Sequence, residues 1–259
     1  MLGFVAGAFH ITDWRLLLWI GVIPPLVIAP FAFLIIPDDR CTIPYGAEEE
    51  QRAPSKFPIK ELFAPALRGR TLRIVLMIGL NFFAYQAFAG WQTTYLQDVR
   101  GISSALAKEM VWQFGATIIG GFAWGWFADR FGRKANALGF LVAAAAITLY
   151  LTVADSVFQL SVLGIMFGLM LPASVIWGPW LAELYPVHLR STAASIFNWG
   201  RLISLSSPPI TAAVAENFGL GTAMGMAAAS FTVSALVWRT LPETLERRTG
   251  LLPVWRTPR

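Results

Sequence analysis

The chain alternates between long apolar runs and short polar interruptions, and the runs are too long for the core of a soluble domain. A bilayer-crossing helix needs about 20 mostly apolar residues. Seven stretches meet that length: Leu16–Ile36, Leu72–Leu96, Lys108–Ala128, Ala135–Val153, Phe158–Trp177, Thr192–Ala215 and Leu220–Leu241. Met1–Ile11 is as apolar but too short to cross, and reads as the last part of a further helix. The pattern predicts an all-α integral membrane protein, a bundle of seven full transmembrane helices plus a partial first one. One long polar stretch, Pro37–Arg70, breaks the series. It carries Asp38-Asp39, Glu48-Glu49-Glu50 and several prolines, and predicts a loop with at most a short amphipathic helix around Lys60–Leu67.

Composition agrees with the pattern. Of the 259 residues 56% are hydrophobic and 14% charged, with a mean hydropathy of +0.59, against about 45–50% and about 25% in soluble domains. A soluble enzyme, a disordered chain and a secreted disulfide scaffold are excluded. Cys41 stands alone and cannot form an internal disulfide.

Charge changes the picture more. The net charge of +5 would suit a nucleic-acid partner, but no basic stripe is interleaved with a soluble fold, so nucleic acid is excluded. The basic residues sort by membrane side instead. Sixteen Lys and Arg lie on the side of Pro37–Arg70 and the C-terminus, three (Arg15, Arg100, Lys108) on the other, and Arg201 within a span. The positive-inside rule places the long loop and the C-terminus in the cytoplasm. No basic residue precedes the first apolar run, which argues against a cleaved signal peptide.

The sharpest motif is Gly125-Trp126-Phe127-Ala128-Asp129-Arg130-Phe131-Gly132-Arg133-Lys134, in a tight turn between two spans. Gly132 permits a backbone conformation that a Cβ would penalise. Asp129 ends one helix within reach of a neighbouring helix N-terminus, where a carboxylate is favoured. The arginines can make charge-assisted bonds to carboxylates on adjacent loops. Two further elements lie on the same membrane side: Glu183-Leu184-Tyr185-Pro186-Val187-His188-Leu189-Arg190, and Leu241-Pro242-Glu243-Thr244 after the last span.

Together these three elements resemble the major facilitator superfamily. The first looks like its signature loop, and the second and third like elements of its sugar-porter and organic-acid symporter branches. The resemblance implies twelve helices in two six-helix halves, joined by a central cytoplasmic loop, and no enzymatic activity. Pro37–Arg70 corresponds to that loop, and Asp13-Trp14-Arg15 resembles the lead into the sixth helix. The chain is thus expected to begin inside the fifth helix. The implied division is 1–36, a remnant of the N-terminal half; 37–71, the central loop; 72–241, the C-terminal half; and 242–259, a cytoplasmic tail. The resemblance also implies a bacterial inner (plasma) membrane. Glu183, Arg190, Arg130, Arg133 and Glu243 would form a cytoplasmic ion-pair network that latches one state or staples the loops.

Polar residues inside spans are functional candidates, because lipid cannot satisfy them. Arg201 lies nine residues into Thr192–Ala215, about 13 Å deep at 1.5 Å per residue, with Asn198 and Ser204 beside it at three-residue spacing. Gly200-Arg201 followed by Pro208-Pro209 resembles the eleventh helix of the organic-acid and metabolite symporters. A midplane guanidinium suits an anionic substrate or a proton-exchanging carboxylate. Asn81, Tyr85 and Gln92 share a helix face within roughly 40° and are expected to line a substrate cavity. Gln113 and Thr117 make a weaker face on the next span. Trp177 and Trp180 read as an aromatic belt, with a gate as the alternative. Gly120-Gly121 and Gly125 would allow close helix approach, and Pro208-Pro209 would kink its helix.

His10 and His188 are far apart, so no metal site and no cofactor are expected; the absence of a Walker loop leaves transport to a gradient. No Asp or Glu lies mid-span; the resemblance implies that a proton-carrying carboxylate would belong to a first half that the chain is expected to lack. Two functional classes remain. One is a secondary transporter of a small organic solute, with an organic or aromatic acid symported with protons preferred and a sugar as the alternative. The other is a non-transporting fragment, or a half that assembles with a separate N-terminal half.

Overall fold

The computed structural model describes residues 14–35, 57–102 and 106–245. Met1–Ile11, His10, Cys41, most of Pro37–Arg70 and the tail past Leu245 lie outside the described residues. The described residues form helices and turns with no strand, the arrangement that satisfies every backbone amide inside a bilayer.

Helix α1 (Trp14–Ile35) contains Pro24, Pro25 and Pro30, and its side chains from Val22 to Phe31 are exposed. Of the amphipathic helix expected around Lys60–Leu67 only Lys60–Leu62 is helical, at the end of α2 (Pro58–Leu62). Helix α3 (Arg68–Ala89) is interrupted at Gly90-Trp91 and continues through Gln92–Val99. Then come α4 (Leu106–Phe131), a 3-10 turn at Arg133–Asn136, and α5 (Ala137–Thr152). Helix α6 (Val157–Met170) opens on a capping box, in which Ser156 and Gln159 satisfy each other's backbone amides. A 3-10 segment, Leu171–Ile176, links it to α7 (Trp177–Leu184). The remaining helices are α8 (Arg190–Ser204), α9 (Ser207–Phe218) and α10 (Leu220–Thr240).

Among the described residues four helical stretches are long and apolar enough to cross a membrane: Arg68–Val99, Arg133–Thr152, Val157–Leu184 and Leu220–Thr240. The expectation of seven full spans is met differently by the rest. Helix α4 has the length, 26 residues, but glycines, tryptophans and Gln113 dilute its apolarity. Thr192–Ala215 is not one kinked helix but two, α8 and α9, separated at Leu205-Ser206. Two consecutive prolines, Pro208 and Pro209, lack the amides and crowd the carbonyls that continuation needs, and are instead accommodated in the first turn of α9.

Packing follows a chain of neighbours: α8 and α9 on α3, α3 on α10, α10 on α5, α5 on α6, and α6 on α4. Lipid is as apolar as leucine, so close backbone approach and polar ties hold such helices together. Gly79 of α3 meets Ile203 of α8, and Gly200 of α8 meets Ile78 of α3, each without room for a Cβ. Ser234 on α10 donates to the Met77 carbonyl at 2.8 Å, and Ser207 to the Phe83 carbonyl at 3.0 Å. Asn136 donates to the carbonyls of Trp124 and Ala173 at 3.2 and 2.9 Å, tying α4, α5 and the segment before α7.

The core is aromatic. Phe140 packs edge-on to Trp177, Phe231 and Trp238, and Trp180 stacks on Trp238 at 5.7 Å. Trp177 and Trp180 are fully buried, which corrects the belt reading: α7 turns both indoles toward α10 rather than toward the headgroups. The glycine expectation also narrows. Gly120 lies against the Leu169 carbonyl, whereas Gly121 and Gly125 face open space.

Candidate functional site

A polar cavity of about 320 Å³ opens where α3, α4 and the 3-10 segment before α7 meet. Its lining includes Asn81, Tyr85 and Gln92 from the first stretch, Gln113 and Thr117 from α4, and Ser174. The helical period that put Asn81, Tyr85 and Gln92 on one face survives the interruption at Gly90-Trp91. Phe82, Phe114 and Leu171 form the apolar part of the wall and carried no signal in the sequence beyond adjacency to polar positions.

Among the described residues no charged side chain lines this cavity. Its polarity comes from amides, hydroxyls and a phenol. Asn81 and Gln113 are nine-tenths or more buried, and the side-chain oxygens of both lack a hydrogen-bond partner among the described residues. A buried amide oxygen left unpaired costs about 1–3 kcal/mol, so the site carries unspent capacity to bind a donor. Gln92 is partly used, with its amide donating to Tyr150 at 3.4 Å.

Arg201 is not part of that lining. It stands in the last turn of α8, roughly 16 Å from Arg190 at 1.5 Å per residue. Its guanidinium lies 5.4 Å from the Phe82 ring centre and 5.8 Å from that of Phe197, and the two rings meet edge-on at 5.2 Å. Phe82 thus lines the cavity and also lies against the cation. Arg201 is exposed and forms no salt bridge among the described residues. Asn198 is exposed one turn away and does not line the cavity.

The signature loop is built around two carboxylates. Glu243 lies against the turn, where its Oε1 accepts the Arg133 amide at 2.8 Å and its Oε2 the Lys134 amide at 2.9 Å. The amides of Thr244 and Leu245 add bonds at 3.1 Å each. Burial pushes the Glu243 carboxyl up, but these backbone bonds outweigh it and hold the group below the ordinary carboxylate value. Glu183 binds the Arg133 guanidinium at 3.0 Å and accepts from the Thr244 hydroxyl. Asp129 completes the cluster at 2.6 Å from the same guanidinium.

Two expectations change here. Glu243, not Asp129, occupies the amides at the start of the turn into α5; Asp129 is held one helical turn away by Arg133. The five-member ion-pair network is smaller than expected. Arg130 and Arg190 are exposed and form no salt bridge among the described residues, and Glu243 is held by backbone rather than by an arginine side chain.

Three links at the same end carried no sequence signal, because their partners are far apart in the chain. His188 meets Glu61 of α2 at 2.7 Å. The Tyr185 hydroxyl is 2.9 Å from the Thr71 hydroxyl, which also donates to the Leu62 carbonyl at 2.7 Å. Burial raises the Tyr185 phenol above its ordinary value. Arg73 donates to the Thr240 carbonyl at 3.0 Å.

A family model described as Major Facilitator Superfamily matches residues 110–258. The chain is similar to the "Cis,cis-muconate transport protein" of Acinetobacter baylyi, at 23% identity over 86% of this chain and 55% of that protein. It is also similar to the "Probable 4-methylmuconolactone transporter" of Cupriavidus pinatubonensis, at 26% identity over 89% of this chain and 54% of that protein. The chain therefore spans about half the length of these relatives.

Proposed function

The chain belongs to the major facilitator superfamily of membrane-embedded transporters, which are not enzymes, and on that premise we propose that it serves the transport of a small organic acid anion. The observation that carries this reading is Arg201 stacked over Phe82 at the wall of a polar cavity free of charged side chains. A carboxylate at Arg201 would gain charge-assisted hydrogen bonds. The neutral part of the same molecule would then lie against Tyr85, Asn81, Gln92 and Gln113, with Asn198 at the mouth. The two relatives are named for a dicarboxylate and a lactone of closely related carbon skeleton, which favours this class over sugars.

Charge supports coupling to protons. Moving one negative charge into a compartment at −100 mV costs about 2.3 kcal/mol, and a co-transported proton removes that cost. We place the chain in a bacterial inner membrane, and the distribution of basic residues supports a signature loop on the cytoplasmic side. Glu183, Asp129 and Arg133 act as a small latch between loops.

Titration of the purified chain with cis,cis-muconate, benzoate and glucose, read by thermal shift, tests the substrate class. Carboxylates are expected to stabilise it, and Arg201→Gln to weaken that effect at least tenfold. Stabilisation by glucose but not by carboxylates overturns the reading. Uptake into proteoliposomes driven by an inside-alkaline gradient tests the coupling, in the chain alone and with a separately expressed N-terminal half.

A further inference from the structure

A second polar cavity lies on the outer surface of the bundle, between α5 and α10 at the end that carries the signature loop. It measures about 300 Å³ and is lined by Lys134, Ala135, Ala137, Leu138, Leu141 and Arg239, sharing no residue with the cavity described above. We propose that this groove binds an anionic phospholipid, with its phosphate between Lys134 and Arg239 and an acyl chain along Leu138 and Leu141.

Charge makes the first half of the argument. Among the described residues neither Lys134 nor Arg239 forms a salt bridge. The acids of the neighbouring turn are committed elsewhere. Both Glu243 oxygens accept backbone amides, and Asp129 and Glu183 hold Arg133. Two cations thus line one groove with neither in an ion pair among the described residues, and an external anion fits there.

The apolar floor makes the second half. Leu138 is 51% exposed, and Leu236, three residues before Arg239 on α10, is also exposed. That face continues away from the cations along the membrane-facing surface. Arg239 stands in the last turn of its helix, where a long basic side chain reaches the headgroup level. Inorganic phosphate would satisfy the cations and leave the leucines bare. A zwitterionic lipid would cover the leucines and leave two positive charges uncompensated. A lipid with a net negative headgroup does both.

Native mass spectrometry of the detergent-solubilised chain, titrated with phosphatidylglycerol, phosphatidylcholine or inorganic phosphate, tests the site. The chain is expected to retain phosphatidylglycerol in preference to phosphatidylcholine. Lys134→Gln with Arg239→Gln should reduce that preference about 30-fold, from the typical contribution of a basic residue at an anionic lipid surface. Leu138→Trp keeps both charges and fills an exposed position, so it should fold and still lose the lipid. Lys60→Gln with Arg68→Gln removes two cations outside the groove and should leave the preference intact. Equal retention of the two lipids overturns the site, as does an unchanged preference in both groove variants or an equal loss in the control pair. Displacement of phosphatidylglycerol by millimolar phosphate overturns the lipid in favour of a free anion.

Discussion

Gly132 and Glu243 are in contact: a Cβ built on Gly132 would lie 2.7 Å from the Glu243 carboxylate, closer than real Cβ atoms come. The same glycine sits at φ +104°, a conformation essentially reserved for glycine. Close approach and backbone angle serve one end, which is to present the Arg133 and Lys134 amides to one carboxylate. Gly132→Ala is expected to cost of order 1–3 kcal/mol, measurable as a lowered thermal midpoint, and to increase amide exchange at 133 and 134. A wild-type exchange pattern would contradict this account.

Protonation of Glu243 should open the same contact. Its carboxyl is held below the ordinary value when folded, so its contribution to stability is complete above about pH 4.3. That contribution is lost as the pH falls through the depressed value. Exchange of the 133–134 amides should therefore stay flat from neutral pH to about 4.5 and accelerate below, after correction for intrinsic rates. Glu243→Gln should show the faster exchange at every pH.

Arg133 and Glu183 should couple weakly. Pairs exposed to solvent contribute about 0–1 kcal/mol, and Glu183 is only partly covered. A double-mutant cycle with Arg133→Gln and Glu183→Gln is expected to give a coupling within that range. A value several times larger would make the pair a structural staple rather than a latch.

Asn81 and Gln113 should reveal a conflict between stability and binding. Each buries an amide oxygen with no partner. Asn81→Leu replaces that group by an apolar one of similar size, so the thermal midpoint should hold or rise while carboxylate binding is lost. A lowered midpoint with binding retained would mean that Asn81 serves the fold and not the ligand.

Close packing of α3 on α8 should be intolerant of a single methyl group. Gly79→Ala and Gly200→Ala each place a Cβ into an isoleucine of the other helix. Each is expected to cost about 1–3 kcal/mol, with little additivity between them, because either one already separates the helices. Thermal unfolding of the two single variants and the double variant checks this.

Sequence periodicity alone determined the helical class, the shared face of Asn81, Tyr85 and Gln92, and the three loop motifs, because each depends only on spacing along one helix or turn. The tertiary structure decided what those residues touch. Trp177 and Trp180 look like a membrane belt by position, but a short helix packed on α10 buries both. Arg201 looks like a cavity residue by depth, but the structure holds it against Phe82, outside the cavity lining. Asp129 and Glu243 are both carboxylates at span ends, and only the fold of α10 onto α5 selects Glu243 for the turn amides. Spacing along one helix is local and legible in a single chain; the choice of partner depends on contacts between residues far apart in the chain, from 58 positions for Trp180 and Trp238 to 119 for Phe82 and Arg201.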